Sequence, residues 1–508
     1  METITQKLAI YIIILFGFMV QTQAQAPDIE WQKSLGGSYG EIAYSVQQTT
    51  DGGYIVAGYS ESNDGDVNSN YGFSDYWIVK LNSAGSIEWQ KSLGGSDVDY
   101  AYSIQQTTDG GYIVAGRSYS NDGDVSGNHG FSDYWIVKLD STGNTQWQKS
   151  LGGSYADYAK SIQQTTDGGY IVAGAASSND GDVSGNLGGY DYWVVKLDKS
   201  GSMEWQKSLG GSSNDYATSI QQTTDGGYIV AGYSESNDGD VIGNHGDKDY
   251  WVVKLDSTGN MEWQKSLGGS GWDAAHSIQQ TTDNGYIVAG YSESNDGDVS
   301  GNHGNMDYWV VKLDNIGNME WQKSLGGSDA EVANSIQQTT DGGYIIAGYS
   351  SSNDGDVSNN YGLTDCWIVK LNDTGNIEWQ KSLGESSYDA AISIQQTTDE
   401  GYIIAGQSDS TETPGYTNFL IIKLYPAQIS VDDIDFESIE TYPNPTNGIL
   451  NFTEPVKNIT IYDISGKTVK TRSETSKIID LSGLAKGVYI VKGVTQSRKT
   501  FERKIIKK

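Results

Sequence analysis

Apolar and polar residues alternate in short bursts along most of this chain. Between Trp89 and Leu151 lie four runs rich in β-branched and aromatic residues: Ser103–Thr107, Tyr112–Gly116, Tyr134–Leu139 and Gln146–Leu151. None spaces its apolar residues as a helix would, so each is predicted to be a strand. The first two flank a Thr-Asp-Gly-Gly link (Thr108–Gly111) and the last two flank Asp-Ser-Thr-Gly-Asn. Glycine-containing links of this length predict hairpins.

The pattern recurs. The signature Trp-Gln-Lys-Ser-Leu-Gly begins at Trp31, Trp89, Trp147, Trp205, Trp263, Trp321 and Trp379, a constant spacing of 58 residues. Such a period marks a repeat architecture, and four antiparallel strands per unit predict the blades of a β-propeller. The unit exceeds WD40 and kelch repeats in length because its second-to-third strand loop is long. Name the strands A (Ser-Ile-Gln-Gln), B (Tyr-Ile-Val-Ala-Gly), C (Tyr-Trp-Ile-Val-Lys-Leu) and D (Glu-Trp-Gln-Lys-Ser-Leu). A D strand, Ile29–Leu35, precedes every A, B and C, and the last A–B–C set, Ser393–Leu424, has no D after it. The two orphans predict a seven-bladed ring in which Ile29–Leu35 pairs with Phe419–Leu424, leaving no exposed edge. An open array would instead need atypical capping repeats.

Composition refines this all-β reading. The chain has 508 residues, with 64 Gly but 6 Pro, which suits many tight turns. Of its 14 Trp, thirteen occupy repeat positions in strands C and D, where core packing is expected. Cys366 is the one cysteine and replaces the Tyr of a C strand, so no disulfide framework is expected. Residues 438–508 hold 13 basic and 6 acidic side chains; subtracting these from 32 and 65 leaves 19 and 59 for the rest, a net charge of −40. So acidic a body should repel nucleic acid and attract cations. Met1–Ala26 reads as a secretory signal: Lys7, an apolar Leu8–Val20, then Ala24-Gln25-Ala26. No later segment is long and apolar enough for a transmembrane helix. The expected divisions are signal peptide 1–26, propeller 27–427, linker 428–440 and a small C-terminal β-sandwich 441–508.

Comparison of the seven units separates framework from variable surface. The patch between D and the next A changes most, and in an up-and-down meander it shares a face with the B–C loop. Loops on a rigid scaffold are where binding concentrates. The candidate ligand-binding residues there are Tyr39, Tyr100, Tyr155, Tyr158, Tyr216, Trp272 and Tyr388, whose rings suit sugar faces or packing between blades. One position of the patch is always acidic: Glu41, Asp99, Asp157, Asp215, Asp273, Glu331 and Asp389. Six B–C loops also carry Ser-Asn-Asp-Gly-Asp-Val, giving Asp64/Asp66, Asp122/Asp124, Asp180/Asp182, Asp238/Asp240, Asp296/Asp298 and Asp354/Asp356. Closely spaced Asp and Asn oxygens suit Ca²⁺, but the full calcium-loop series is missing. Side-chain-capped turns are the other reading of the same residues.

Enzyme chemistry finds little support. The Thr-Thr-Asp-Gly-Gly turn (Thr49–Gly53 and equivalents) resembles the Asp-box of sialidase propellers, but the repeat region offers Arg117 alone where a sialidase needs an arginine cluster. His129, His245 and His303 share one loop position and His276 stands apart; no catalytic triad or His-Glu-x-x-His zinc site can be assembled. Acids recurring around the ring lack the asymmetry of an active site.

After Leu424 the repeats stop. Tyr442-Pro443-Asn444-Pro445-Thr-Asn-Gly448, then Ile-Tyr-Asp-Ile-Ser-Gly466-Lys467, then Gly487-Val-Tyr489 before a basic C-terminus, resemble the type A C-terminal sorting domain of the type IX secretion system of Bacteroidota. The repeats are also similar to those of secreted propellers carrying such tails. The resemblance implies a β-sandwich engaged by the outer-membrane secretion machinery, with the protein released or attached at the cell surface. The function expected is non-catalytic binding or adhesion, with an extracellular glycan or surface protein as partner. A secreted glycan hydrolase or lyase, or a structural surface module, are the alternatives.

Overall fold

The computed structural model describes residues 25–409, 415–427, 441–463, 467–495 and 500–508. The signal sequence, apart from Gln25 and Ala26, and the linker 428–440 lie outside them. Two compact units emerge, one spanning Ala26–Gln428 and one containing Ile429–Lys508. Among the described residues every regular element is a strand.

The larger unit consists of four-stranded antiparallel sheets in repeats, as in a propeller. One sheet is Glu41–Gln48, Tyr54–Ser60, Asp75–Leu81 and Ile87–Leu93, in that order, and five more repeat the scheme with consecutive strands. The remaining sheet joins Asp389–Gln396, Tyr402–Asp409 and Thr417–Leu424 to Ile29–Leu35, with Ile29 opposite Leu424 and Leu35 opposite Phe419.

Burial explains the sequence of each strand. B and C strands are covered on both faces, which is why they read as nearly unbroken apolar runs rather than alternating ones. Between consecutive sheets Ile55, Tyr76 and Leu93 pack with Ile104, Val114 and Trp135. The Tyr76 hydroxyl donates to Trp135 O at 2.8 Å, and the same bond recurs from Tyr134, Tyr192, Tyr250 and Tyr308 to the next sheet's Trp. A Cβ on Gly116 would lie 2.7 Å from that Tyr76 oxygen, so the B strand needs glycine there. Cys366 takes the tyrosine's place in one sheet and is fully buried.

The Ser and the two Gln of the Ser-Ile-Gln-Gln run (Ser-Val-Gln-Gln in the first A strand) recur in every A strand and link neighbouring sheets. Ser45 Oγ accepts from Ile104 N at 3.2 Å and Gln47 Oε1 from Gln106 N at 2.6 Å. The series returns to its start: Ser393 Oγ accepts from Val46 N at 3.2 Å and Gln395 Oε1 from Gln48 N at 2.6 Å.

The Asp of the A–B turn has a second task. In the third sheet, Asp167 accepts from Thr165 Oγ1 and from Gly169 N, and its carboxylate lies 2.9 Å from the buried Lys196 ammonium. Glu204 approaches the same ammonium at 3.0 Å. Burial pushes the Asp167 carboxyl up, but the Thr165 hydroxyl, the Gly169 N–H and Lys196 outweigh it and hold it at about 2. Asp167→Ala is expected to cost about 1–3 kcal/mol in urea unfolding, because it strips a buried cation of one of two counter-charges. A cost below about 0.5 kcal/mol, the size of an ordinary exposed pair, would reduce this residue to a bystander.

The C-terminal unit differs from the sandwich expected. Its six strands form one half-barrel sheet instead of two packed layers. The 15-residue strand Ile449–Asp463 pairs with four others, and its register shifts between Asn451 and Val456 and between Lys457 and Thr460. Such irregularities bend a strand, so its two halves wrap one core of Leu450, Phe452, Ile459, Ile461, Val491 and Phe501.

Candidate binding face and shared cavity

The acidic position of the variable patch is structural. Glu41, Asp99, Asp157, Asp215, Asp273, Glu331 and Asp389 begin the A strands and are buried. Asp99 accepts from Gly95 N at 2.9 Å and Ser120 Oγ at 2.9 Å, pinning the D–A link. Six of the seven C strands also start with a buried Asp, and the last, Thr417–Leu424, starts with Thr. A Cβ on Gly94 would lie 2.6 Å from Asp99 and would also clash with Asp75 of the preceding sheet, so glycine leaves room for two carboxylates side by side. Burial pushes Asp99 up to about 6; burial, opposed by the Tyr71 N–H and reinforced by Asp99, pushes Asp75 up to about 7.

The paired Asp residues of the B–C loops clasp the same link from outside. Asp64 Oδ1 accepts from Ser38 N at 2.8 Å and Asp66 Oδ2 from Gly36 N at 3.2 Å. Asp122, Asp180, Asp238, Asp296 and Asp354 repeat the first bond, and Asp124, Asp182, Asp240, Asp298 and Asp356 the second. Among the described residues no group of three or more His, Cys, Asp or Glu is placed to hold a metal ion.

The seven aromatic candidates separate into two sets. Tyr39, Tyr155 and Trp272 are 52%, 63% and 47% exposed. Tyr39 meets Tyr416 edge-on at 5.5 Å, and Lys248 Nζ lies 5.0 Å from the Trp272 ring. The other four are half-buried: Tyr100 packs on Tyr59 at 4.2 Å, Tyr388 lies 6.1 Å from Tyr349, and Tyr158 and Tyr216 turn inward.

Inward lies a cavity of about 580 Å³ that sequence reasoning missed. The fourth residue of every A strand lines it: Tyr44, Tyr102, Lys160, Thr218, His276, Asn334 and Ile392. A register shift explains why. In the A–B pairing Ala43 faces Gly58 and Ser45 faces Ala57, leaving Tyr44 unpaired, and every repeat has the same bulge. A bulged residue is re-aimed out of the alternation. The available signal was variation in kind at one position of an otherwise near-constant strand.

The cavity's chemistry is uneven. Tyr158, Tyr190, Tyr216 and Tyr233 add aromatic surface, Arg117 joins from a B strand, and no carboxylate is in the lining. The Arg117 guanidinium lies 5.0 Å from the Tyr100 ring and 6.0 Å from those of Tyr102 and Tyr158; Lys160 Nζ sits 3.6 Å from the Tyr102 ring. The buried Arg117 Nε has no hydrogen-bond partner. Burial, helped by nearby Arg117, pulls the Lys160 ammonium down to about 7, and burial pulls the His276 imidazole down to about 4.

In the C-terminal unit Tyr442 is exposed, and Asn444 ties its loop to the last strand through Lys504 O at 2.8 Å and Ile506 N at 2.9 Å. Pro443 and Pro445 flank it; Gly448 N donates to Thr446 Oγ1, Lys467 N to Asp463 Oδ1 and Tyr489 Oη to Ala485 O. Gly487 faces Lys507 across a strand pair. Gly466 lies outside the described residues.

Residues 440–508 match the family model of a secretion system C-terminal sorting domain. That domain marks the chain for type IX secretion, with the cell surface or the extracellular space as destination. A region of the chain is 24% identical over 226 residues to the regulatory protein FlaEY of Caulobacter vibrioides, covering 41% of this chain and 23% of that protein. Among solved structures, PorZ of Porphyromonas gingivalis is similar with a TM-score of 0.40 and 11% identity, over 95% of this chain and 61% of that one. The extracellular domain of BT4673 from B. thetaiotaomicron gives 0.42 and 11%, over 95% and 59%. The chain thus spans about a quarter of the curated relative and about 60% of these two structures.

Proposed function

We propose that this exported chain is a non-catalytic binding protein, built as a closed seven-bladed propeller, that engages an extracellular glycan or surface protein on its D–A and B–C loop face. Closure is supported by the pairing of Ile29–Leu35 with Thr417–Leu424 and by the Ser and Gln side chains that link the last A strand to the first. The carrying observation is the cavity: seven near-identical units present seven side chains of six different kinds to one space. Uniform repeats have no structural need for that variety, and concave aromatic sites with a few polar groups are the usual form of a ligand pocket. Exposed Tyr39, Tyr155 and Trp272 would extend contact outward. Paired-carboxylate hydrolysis, which needs two acids facing the substrate, finds no such pair in this lining.

The experiment is glycan-array binding of the mature chain, with a surface-protein pull-down beside it. Retention of a defined glycan or protein is expected; turnover of a glycan without retention would overturn the reading. The loop aspartates are taken as clasps of the D–A link and not as a calcium site. Ca²⁺ and EDTA are therefore expected to leave both binding and Tm unchanged, since a ligand that binds the native state must raise its stability. A calcium-dependent rise in Tm would restore the metal reading.

A further inference from the structure

We propose that the cavity shared by the seven A strands is an anion pocket for a carboxylate-bearing sugar, with Arg117 and Lys160 as the partners of the carboxylate. This rests on the reading of the chain as a binding protein and names the ligand class of its cavity.

The first argument is the placement of charge. Outside the basic tail acids outnumber bases 59 to 19, yet the cavity holds two cations and no acid. The C-strand lysines show how this protein normally treats a buried cation: Lys80 meets both Asp51 and Glu88. Arg117 and Lys160 are held only by ring faces, and Arg117 keeps an unpartnered Nε. Cations removed from water without counter-charge are costly. That cost falls when an anion arrives.

The second argument is substitution among the repeats. Arg117 stands where the other sheets carry Tyr59, Ala175, Tyr233, Tyr291, Tyr349 and Gln407. Lys160 stands where they carry Tyr, Thr, His, Asn or Ile. Neither cation is a requirement of the blade. Both fall in adjacent sheets and share the rings of Tyr102 and Tyr158.

The third argument concerns the rest of the ligand. One guanidinium and one ammonium suit a single carboxylate group, and Arg presents its donors in a fork matched to a carboxylate. Tyr158, Tyr190 and Tyr216 supply faces for a sugar ring, while Thr218 and Asn334 supply polar atoms for hydroxyls. A cavity of about 580 Å³ falls within the usual range for small-molecule sites.

The test uses the mature chain in isothermal titration against a digalacturonate, its neutral digalactose counterpart, a sulfated disaccharide and inorganic sulfate. Arg117→Tyr and Lys160→Thr borrow residues that other repeats already carry, so folding is expected to survive; Tm verifies it. The digalacturonate is expected to bind at least ~10-fold more tightly than the neutral sugar, with each variant losing about 10-fold and neutral-sugar binding unchanged. Binding is also expected to tighten as pH falls from 8 to 6, because an anion must recruit protonated Lys160 while buried His276 stays neutral. The Lys160→Thr variant should lose this pH dependence. Equal affinity for acidic and neutral sugars, sulfate alone binding, or acidic-sugar binding untouched by both variants would each overturn the pocket. Retention of some other glycan or protein on the array would, in those cases, leave the binding reading standing; silence there too would remove both.

Discussion

A chain lacking residues 27–36 is expected to lose the fold of its repeat unit, although the deleted piece is a single strand far in sequence from its partner. Ile29–Leu35 completes the sheet that begins at Asp389. Without it, Thr417–Leu424 becomes a bare edge with unpaired backbone groups. Leu35 leaves a cluster that holds Trp77, Val79 and Phe419, and such losses run to about 2–5 kcal/mol for one leucine. Lys423 loses Glu30, one of its two acidic neighbours, at 3.5 Å. The ladder's hydrogen bonds add roughly 1 kcal/mol each. Since total domain stability is of the order of 5–15 kcal/mol, the sum approaches the whole. The readout is near-UV circular dichroism, where the many buried Trp and Tyr give a signal only when packed. Loss of that signal, with partial recovery on adding the 27–36 peptide in excess, is the expected result. A truncated chain that melts within a few degrees of the intact one would show that the repeat unit does not depend on this pairing.

The pairing of Ile29–Leu35 with the last C strand is legible in the sequence, because the phase of a repeat is a property of strand order alone: an orphan D at one end and a missing D at the other. Hairpins were legible for the same local reason, each carrying its turn chemistry. What escaped was side-chain direction. Alternation assigns residues to two faces, but the bulge after Ala43, Ala101 and Ala159 shifts the count by one and sends Tyr44, Tyr102 and Lys160 to a third place. The seven aromatic candidates were chosen by type within a variable patch, so they gathered exposed Tyr155 and inward Tyr158 under one heading. The burial of the acids that begin the A strands is not legible either, because charge in a sequence carries no depth. The isolation of Arg117 that counts against a sialidase also makes it the one guanidinium in the cavity lining. In the tail, six short strands do not reveal whether they close one sheet or two; the register shifts of Ile449–Asp463 decided it.

Depth of charge also sets the response to pH, and stability is expected to rise as pH falls from 8 to about 4.5. The buried carboxylates at the sheet junctions carry this effect. Burial pushes Asp75 and Asp191 up to about 7 and Asp99, Asp133 and Asp215 up to about 6, and raises Asp157, Asp249, Asp273 and Asp307 as well. An acid whose pKa is higher folded than unfolded binds more protons in the native state between the two values. Its stabilising contribution is therefore complete below the unfolded value near 4 and lost as pH rises to 6 or 7. Two groups of opposite sense bound the window. Asp51, Asp109, Asp167 and Asp283, held at about 2 against the upward push of burial by turn hydrogen bonds and a lysine, contribute above pH 4 and lose that only in stronger acid. His276, pulled to about 4 by burial, works against the gain between its unfolded value and 4, and Lys160, pulled to about 7 by burial, works against it between pH 8 and 7, but these are two groups against at least nine. If each raised carboxylate contributes even about 0.5–1 kcal/mol, the gain between pH 8 and 4.5 amounts to several kcal/mol. Urea midpoints measured at half-unit steps of pH should trace it, at an ionic strength high enough to screen the net charge. Asp191→Asn separates this cause from general charge repulsion: it should raise the midpoint at pH 8, where the native carboxylate is strained by burial, and leave it nearly unchanged at pH 4.5, where the wild-type group is already neutral. A variant that shifted both pH values equally would place the origin of the pH response on the acidic surface instead of in the junctions.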